Sequence, residues 1–100
     1  MEKKLKVVWT ENAIHDLSVI KKFIAEDSLN RSERWVEELL DAGESLSTLA
    51  SRGRIVPEFN QEKLRELLIG NYRLVYRLSL RLVEILTVFE GHRQLRKDDI

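Results

Sequence analysis

The dipeptide Gly70-Asn71 constrains the fold of this chain more than any other feature of the sequence. It separates two short runs, residues 64–69 and 72–78, in which leucine and tyrosine alternate with charged residues such as arginine. A two-residue turn of this composition joins antiparallel strands and fixes their register. On one face the register pairs Leu68 with Arg73, Glu66 with Val75 and Leu64 with Arg77. On the other face it pairs Ile69 with Tyr72, Leu67 with Leu74 and Arg65 with Tyr76.

A second hairpin follows, with Leu80 and Arg81 as its turn. This turn places Leu78 opposite Val83, Tyr76 opposite Ile85, Leu74 opposite Thr87 and Tyr72 opposite Phe89. On the other face it places Arg77 opposite Glu84, Val75 opposite Leu86 and Arg73 opposite Val88. Both hairpins assign the same residues to the same face, and a one-residue slip would destroy that agreement.

The three predicted strands form a meander with two unlike faces. One face is apolar and suits packing against helices, whereas the other combines charged and apolar side chains. Such a mixed face is typical of a partner-binding groove. The predicted groove consists of Glu66, Leu68, Arg73, Val75, Arg77, Glu84, Leu86 and Val88. The structural alternative for its two arginines is ion pairing across strands with Glu66, Glu84 or Glu90.

The first half of the chain predicts one strand and two helices. Residues 4–9 alternate in polarity as a strand does. Thr10 is a favourable N-cap, and apolar residues at helical spacing predict a helix from about residue 11 to residue 26. A second helix begins near Arg31 or Ser32 and extends to about residue 51, with Gly43 on its apolar stripe. A glycine inside a helix needs a reason, and we expect close approach of the first helix there.

The predicted fold class is therefore α+β. An N-terminal strand is followed by an antiparallel helical hairpin, which packs on a three-stranded antiparallel meander. The length of 100 residues suits a single domain spanning residues 1–100.

Composition narrows the functional classes. Seventeen basic and seventeen acidic residues give a net charge of zero, whereas dedicated nucleic-acid binders are usually basic. The absence of cysteine excludes thiol chemistry and suits a reducing cytoplasm. No segment has the length of a signal peptide core or a membrane span, so we expect a cytoplasmic protein without membrane contact. Two distant histidines lack the spacing of metal ligands, and we expect neither a metal nor another cofactor.

Nearly the whole chain resembles the RelE/ParE superfamily of bacterial toxins from type II toxin–antitoxin systems, and the ParE-like members most. The resemblance is carried by LRELLIGNYRLVYR and VEILTVFEGHRQL, together with WTENAIHDL at the entry to the first helix. It implies a toxin that a cognate antitoxin neutralises by wrapping around it, while another part of the antitoxin binds operator DNA. The mixed sheet face is our predicted antitoxin-binding groove.

Two activities are implied by the resemblance. ParE-like members inhibit DNA gyrase without hydrolytic chemistry, and RelE-like members cleave messenger RNA on the ribosome. If this chain is a ribonuclease, its residues would be Arg73, Glu90, His92 and Arg93. RNA cleavage needs a base, an acid and cations for the phosphorane, and His92 has a suitable ordinary pKa.

Two departures favour gyrase as the target. The tail LRKDDI has no tyrosine, and the approach to the strands lacks the lysines of RelE-type ribonucleases. For a gyrase inhibitor, the candidate target-binding residues are Glu90, His92, Arg93 and Arg96. A third interpretation is a decayed toxin that retains only antitoxin binding and a regulatory role.

Overall fold

A computed structural model describes residues 4–100 and contains five strands and two α-helices. In chain order the elements are β1 (Lys6–Trp9), α1 (Glu11–Ala25), α2 (Leu29–Glu44), β2 (Arg54–Ile55), β3 (Leu64–Ile69), β4 (Tyr72–Leu78) and β5 (Leu82–Glu90). Short 3-10 turns lie at Ser45–Ser47 and Lys97–Asp99. Along residues 4–100, no helix combines the length and the apolar character needed to cross a membrane.

The strands form one sheet in the order β1-β5-β4-β3-β2. β1 runs parallel to β5, and the other neighbours are antiparallel. The predicted α+β fold with a helical hairpin on an antiparallel meander is confirmed. The sheet is larger than predicted because β1 joins it at one edge and the two-residue β2 joins it at the other.

The helices begin at side-chain caps. Thr10 caps α1 as predicted, with its hydroxyl oxygen 3.2 Å from the backbone nitrogen of Ala13. Ser28 caps α2 in the same way, so this helix begins at Leu29, earlier than predicted. The predicted end near residue 51 is wrong, because the chain leaves α-helical geometry after Glu44 and tightens into a 3-10 turn.

Both helices contribute to a core on one face of the sheet. The buried members of this helix-side core are Ala13, Leu17, Ile20, Leu39, Leu46, Leu67, Tyr72, Leu74, Tyr76, Val83, Ile85 and Val88. Gly43 faces this core, but the predicted approach of the first helix is not the reason. A Cβ at this position would meet the Trp9 ring and lie 2.7 Å from the side chain of Ile85. Gly43 therefore lets α2 approach β1 and β5.

The first hairpin has the predicted register throughout, with Ile69 opposite Tyr72 and Leu68 opposite Arg73 at its closed end. Gly70 adopts a φ of +57°, a conformation that glycine accepts without steric cost. A side chain there would also strike the ring of Trp35. The turn dipeptide thus fixes the alignment of β3 and β4.

The second hairpin follows the predicted register only near its turn. Leu78 lies opposite Val83, as predicted, but a β-bulge then shifts the alignment and Val75 lies opposite Thr87. The predicted partner of Val75 was Leu86, so the bulge adds one residue to β5. Beyond it, Val88 lies opposite Leu74 and joins the helix-side core, not the opposite face.

The start of α1 holds the bulge in place. The Thr10 hydroxyl and the Asn12 amide both donate to the backbone carbonyl of Leu86, each at 3.1 Å. One carboxylate oxygen of Asp16 accepts from the Thr87 hydroxyl at 2.6 Å. The same oxygen accepts from the next backbone N–H of β5 at 3.0 Å. Buried polar groups of a bulge need such partners, and here they come from residues some seventy positions upstream.

Candidate functional site on the sheet face opposite the helices

The sheet face opposite the helices is covered by the chain itself. The loop after β2 and the segment after β5 lie over this face and complete a second apolar cluster. Its buried members are Val56, Leu64, Val75, Leu86, Phe89 and Leu95, with Phe59 and Ile100 packed against them. The part of the predicted groove around Val75 and Leu86 is therefore covered in this structure.

Arg73 lies at the centre of this covered face, and its side chain is only 7% exposed. Two of its guanidinium nitrogens contact the two carboxylate oxygens of Glu58, at 2.7 and 2.8 Å. Its Nε donates to Glu66 at 2.6 Å. Bidentate arginine–carboxylate pairs are among the strongest polar contacts in proteins. Arg73 is thus fixed by two carboxylates, one of which is the predicted cross-strand partner.

Glu58 also holds the segment after β5. Its carboxylate accepts from the backbone N–H of Leu95 at 2.7 Å, and Arg73 donates to the carbonyl of Arg93 at 3.2 Å. The hydrogen bond from Arg73 and the one from Leu95 lower the pKa of Glu58 to about 2, against the opposing effect of burial. The hydrogen bond to Glu58, followed by the one to Glu66, raises the pKa of Arg73 above its ordinary value.

Glu66 is shared between two arginines. Its side chain is fully buried, and its second oxygen accepts from the exposed Arg54 at 2.6 Å. The cluster of Arg54, Glu58, Glu66 and Arg73, which we call the buried ion cluster, has two positive and two negative charges. It is neutral as a whole, which explains how so many charged groups lie beside an apolar cluster.

The remaining predicted groove residues have different environments. Arg77 lies opposite Glu84 and both are partly exposed, while Leu68 is exposed at the edge of the face. Val75 and Leu86 are buried in the second cluster. Val88 lies on the helix side because of the bulge.

The four candidate residues of the C-terminal segment remain near the surface. Glu90, His92, Arg93 and Arg96 are all exposed. The guanidinium of Arg93 lies 4.3 Å from the centre of the Phe89 ring and 3.0 Å from a carboxylate oxygen of Asp99. Burial opposes ionisation of Asp99, but hydrogen bonds from Arg96 and Arg93 outweigh it and lower the pKa. Arg73 also lies over Phe89, at 5.2 Å, but on the buried side of the segment.

Two features near the C-terminal segment were not predicted from the sequence: the burial of Glu58, and a cleft beside α1. Glu58 lies in a loop, and the only local signal for its burial is the pair of apolar neighbours Val56 and Phe59. The second is a cleft of about 410 Å³ between α1 and the end of β5. Val19 and Phe23 line it from the helix side, and they interrupt the polar outer surface of α1.

Comparison with known proteins identifies the family of this chain. The model of the ParE toxin of type II toxin–antitoxin systems matches residues 7–95. Solved structures resemble the chain in fold. A chain of the chromosomal ParDE system from P. aeruginosa is 17% identical, with a TM-score of 0.73 and coverage of 89% of this chain and 98% of that one. A chain of the RelBE2 toxin–antitoxin complex from Mycobacterium tuberculosis is 22% identical, with a TM-score of 0.67 and coverage of 87% and 98%. No curated protein sequence matches the chain. The match over most of its length shows that the chain belongs to the ParE toxin family of type II toxin–antitoxin systems.

Proposed function

We propose that this toxin acts in the cytoplasm by inhibiting DNA gyrase and is neutralised by a cognate antitoxin. The family model names a ParE toxin of a parDE system, and both structural relatives come from toxin–antitoxin systems. In the proposal the toxin binds the antitoxin directly and has operator DNA as a partner only through it. The toxin uses no cofactor in this role.

The observation that supports gyrase over messenger RNA as the target is that the guanidinium of Arg73 is buried and paired with two carboxylates. Cleavage of RNA through its 2′-hydroxyl requires cations directed at the phosphorane. Arg73 is the arginine that the family resemblance places at the phosphate, but Glu58 and Glu66 occupy its guanidinium. Because those contacts neutralise the cation and bury it, Arg73 is better suited to holding the fold together than to contacting a phosphate.

The exposed C-terminal segment is the proposed contact with gyrase. Glu90, His92, Arg93 and Arg96 project from a segment whose position is fixed by the contacts of Glu58 and Leu95. A preformed surface loses little conformational entropy on binding. These residues therefore present charged side chains on a backbone that is held in place, which favours a protein–protein contact.

The proposed function is tested with purified toxin and gyrase. We expect inhibition of supercoiling, with accumulation of the gyrase–DNA cleavage complex. Arg96→Ala should weaken the inhibition, because it removes an exposed cation of the proposed contact surface. Arg81→Ala is a matched control, since this exposed arginine lies in the turn between β4 and β5, away from the C-terminal segment.

The same preparation distinguishes the alternatives. Cleavage of ribosome-bound messenger RNA, without any effect on gyrase, would replace the proposal by the ribonuclease activity. In that case His92→Ala should reduce the cleavage. Normal growth after induction without antitoxin would instead indicate a decayed toxin with only a regulatory role.

A further inference from the structure

One edge of β5 has no neighbouring strand over half of its length. β1 pairs with β5 only from Leu82 to Ile85, because β1 ends at Trp9 and the chain turns into α1. Side chains at the start of α1 satisfy the first part of the remaining edge, at the carbonyl of Leu86 and the N–H of Val88. Only the end of the strand, from Val88 to Glu90, lines the cleft beside α1. An unpaired strand edge presents backbone donors and acceptors that another segment can complete.

The direction of the backbone groups follows from two hydrogen bonds. The N–H of Gly91 donates towards β4, to the carbonyl of Asn71 at 2.7 Å. The N–H of Val88 donates to the opposite side, to Asp16 at 3.0 Å. Since successive residues of a strand alternate, the N–H of Glu90 points to the same side as that of Val88. The open edge therefore presents a backbone donor at the rim of the cleft.

The side chains of the cleft form an apolar surface that remains exposed. Phe23 is 63% exposed and Val19, one helical turn earlier, is 52% exposed. Ile20, Val88 and Phe89 line the cleft beneath them. Two large apolar side chains beside a concave surface are characteristic of a binding site for a protein segment.

The charges at the rim indicate the chemistry of the partner. Arg93 is already paired with Asp99. Along residues 4–100, the exposed Glu90 forms no ion pair. A partner that approaches this rim therefore meets an uncompensated negative charge, and a basic residue complements it.

We propose that the cleft receives an extended segment of the antitoxin. This proposal rests on the proposed toxin function. An apolar side chain of that segment packs between Phe23 and Val88, its backbone pairs with the edge of β5 at Glu90, and an adjacent basic residue meets the Glu90 carboxylate. Addition of a strand to an exposed sheet edge is a common mode of peptide recognition.

Two features favour the antitoxin as the occupant. The apolar centre of the sheet face opposite the helices is covered by residues such as Leu95 and Phe59, so a neutralising partner needs another apolar surface. The cleft is lined by Glu90 and Arg93, which belong to the proposed gyrase contact. A segment in the cleft would therefore cover part of that contact, and this overlap provides a physical route to neutralisation.

The test compares two glutamate substitutions on α1. Phe23→Glu places a charge in the cleft, whereas Ile14→Glu changes a side chain that is 56% exposed on the same helix but does not line the cleft. The probe is the purified antitoxin encoded by the reading frame beside the toxin gene, with affinity measured by calorimetry. We expect Phe23→Glu to weaken binding by at least about 30-fold, the effect of losing a hot-spot side chain. Ile14→Glu should remain within about 3-fold of the wild type.

Circular dichroism and the thermal midpoint establish that both variants are folded. If Phe23→Glu unfolds the protein, Val19→Ser provides a milder change at the same cleft. Glu90→Lys adds a test of the charge, and we expect it to weaken binding by about 10-fold.

The outcomes separate this inference from the proposed function. Wild-type affinity in folded Phe23→Glu would overturn the cleft as the antitoxin site and leave the toxin function standing. Failure of the wild-type toxin to bind the antitoxin would overturn both. Self-association of the wild-type toxin that Phe23→Glu abolishes, with antitoxin affinity unchanged, would assign the cleft to a second copy of the chain and overturn the proposal.

Discussion

Replacing Glu58 by glutamine tests the role of the buried ion cluster. The substitution preserves the shape of the side chain but removes its negative charge. One amide oxygen remains to accept from Leu95, while the amide nitrogen faces the guanidinium of Arg73 and cannot accept a hydrogen bond from it. Arg73 then keeps Glu66 as its only carboxylate partner in the cluster.

The expected loss of stability follows from the pKa of Glu58. This pKa is lowered from 4.5 to about 2, and each pKa unit corresponds to about 1.36 kcal/mol. We therefore expect Glu58→Gln to lower the free energy of unfolding by about 3 kcal/mol at neutral pH. Because the pKa is lowered on folding, this stabilisation is complete above pH 4.5 and is lost as the pH falls towards about 2. The difference between the variant and the wild type should shrink over the same interval.

Urea unfolding followed by circular dichroism measures the difference at about pH 7 and about pH 3. Glu62→Gln is the control, because Glu62 is an exposed carboxylate near the same loop and its loss should change stability by less than about 0.5 kcal/mol. A loss below about 0.5 kcal/mol for Glu58→Gln would refute the reasoning, since a buried bidentate pair would then be worth no more than a surface one. A loss that stays constant between the two pH values would refute the assignment of the effect to the Glu58 charge.

Two further substitutions test the packing around the bulge and α2. Gly43→Ala should lower the free energy of unfolding by about 1–2 kcal/mol despite the better helix propensity of alanine, because the new methyl group collides with Trp9 and Ile85. Urea unfolding measures this loss of stability, and a stabilised variant would contradict the packing described for Gly43. Asp16→Ala should lower the free energy of unfolding by about 1–3 kcal/mol, because the buried Thr87 hydroxyl and an adjacent N–H of β5 lose their acceptor. An unchanged urea midpoint would show that the bulge does not depend on this carboxylate.

The parts of the fold that the sequence predicts are those determined by neighbouring residues. Gly70-Asn71 allows few turn geometries, so every pair of the first hairpin was predicted correctly. Thr10 caps α1 through a residue three positions away, and this too was correct. In both cases the determining contact lies within a few positions along the chain.

The parts that it does not predict depend on distant partners. The bulge at Leu86 forms because Thr10, Asn12 and Asp16 satisfy its polar groups from the start of α1. Nothing in the run LVEILTVFE marks the extra residue, so alternation along β5 predicted the wrong face for Val88.

In the candidate site too, contacts between neighbouring strands are predictable from the sequence, whereas contacts with distant loops are not. Ion pairing of Arg73 with Glu66 was a foreseeable cross-strand contact, because both residues lie on the correctly predicted hairpin. The second partner, Glu58, comes from a loop whose position no periodicity determines. The covering of Val75 and Leu86 by residues such as Leu95 is therefore visible only in three dimensions.

The parallel pairing of β1 with β5 has a kinetic consequence. Lys6 lies beside Leu82, so this pairing closes a loop that contains both helices and the rest of the sheet, whereas the hairpins close only short turns. Long loops lose more entropy on closure, and high contact order slows folding. We expect the helical hairpin and the meander to form before β1 docks. Weakening β1, for example at Val7, should then accelerate unfolding while leaving the refolding rate nearly unchanged.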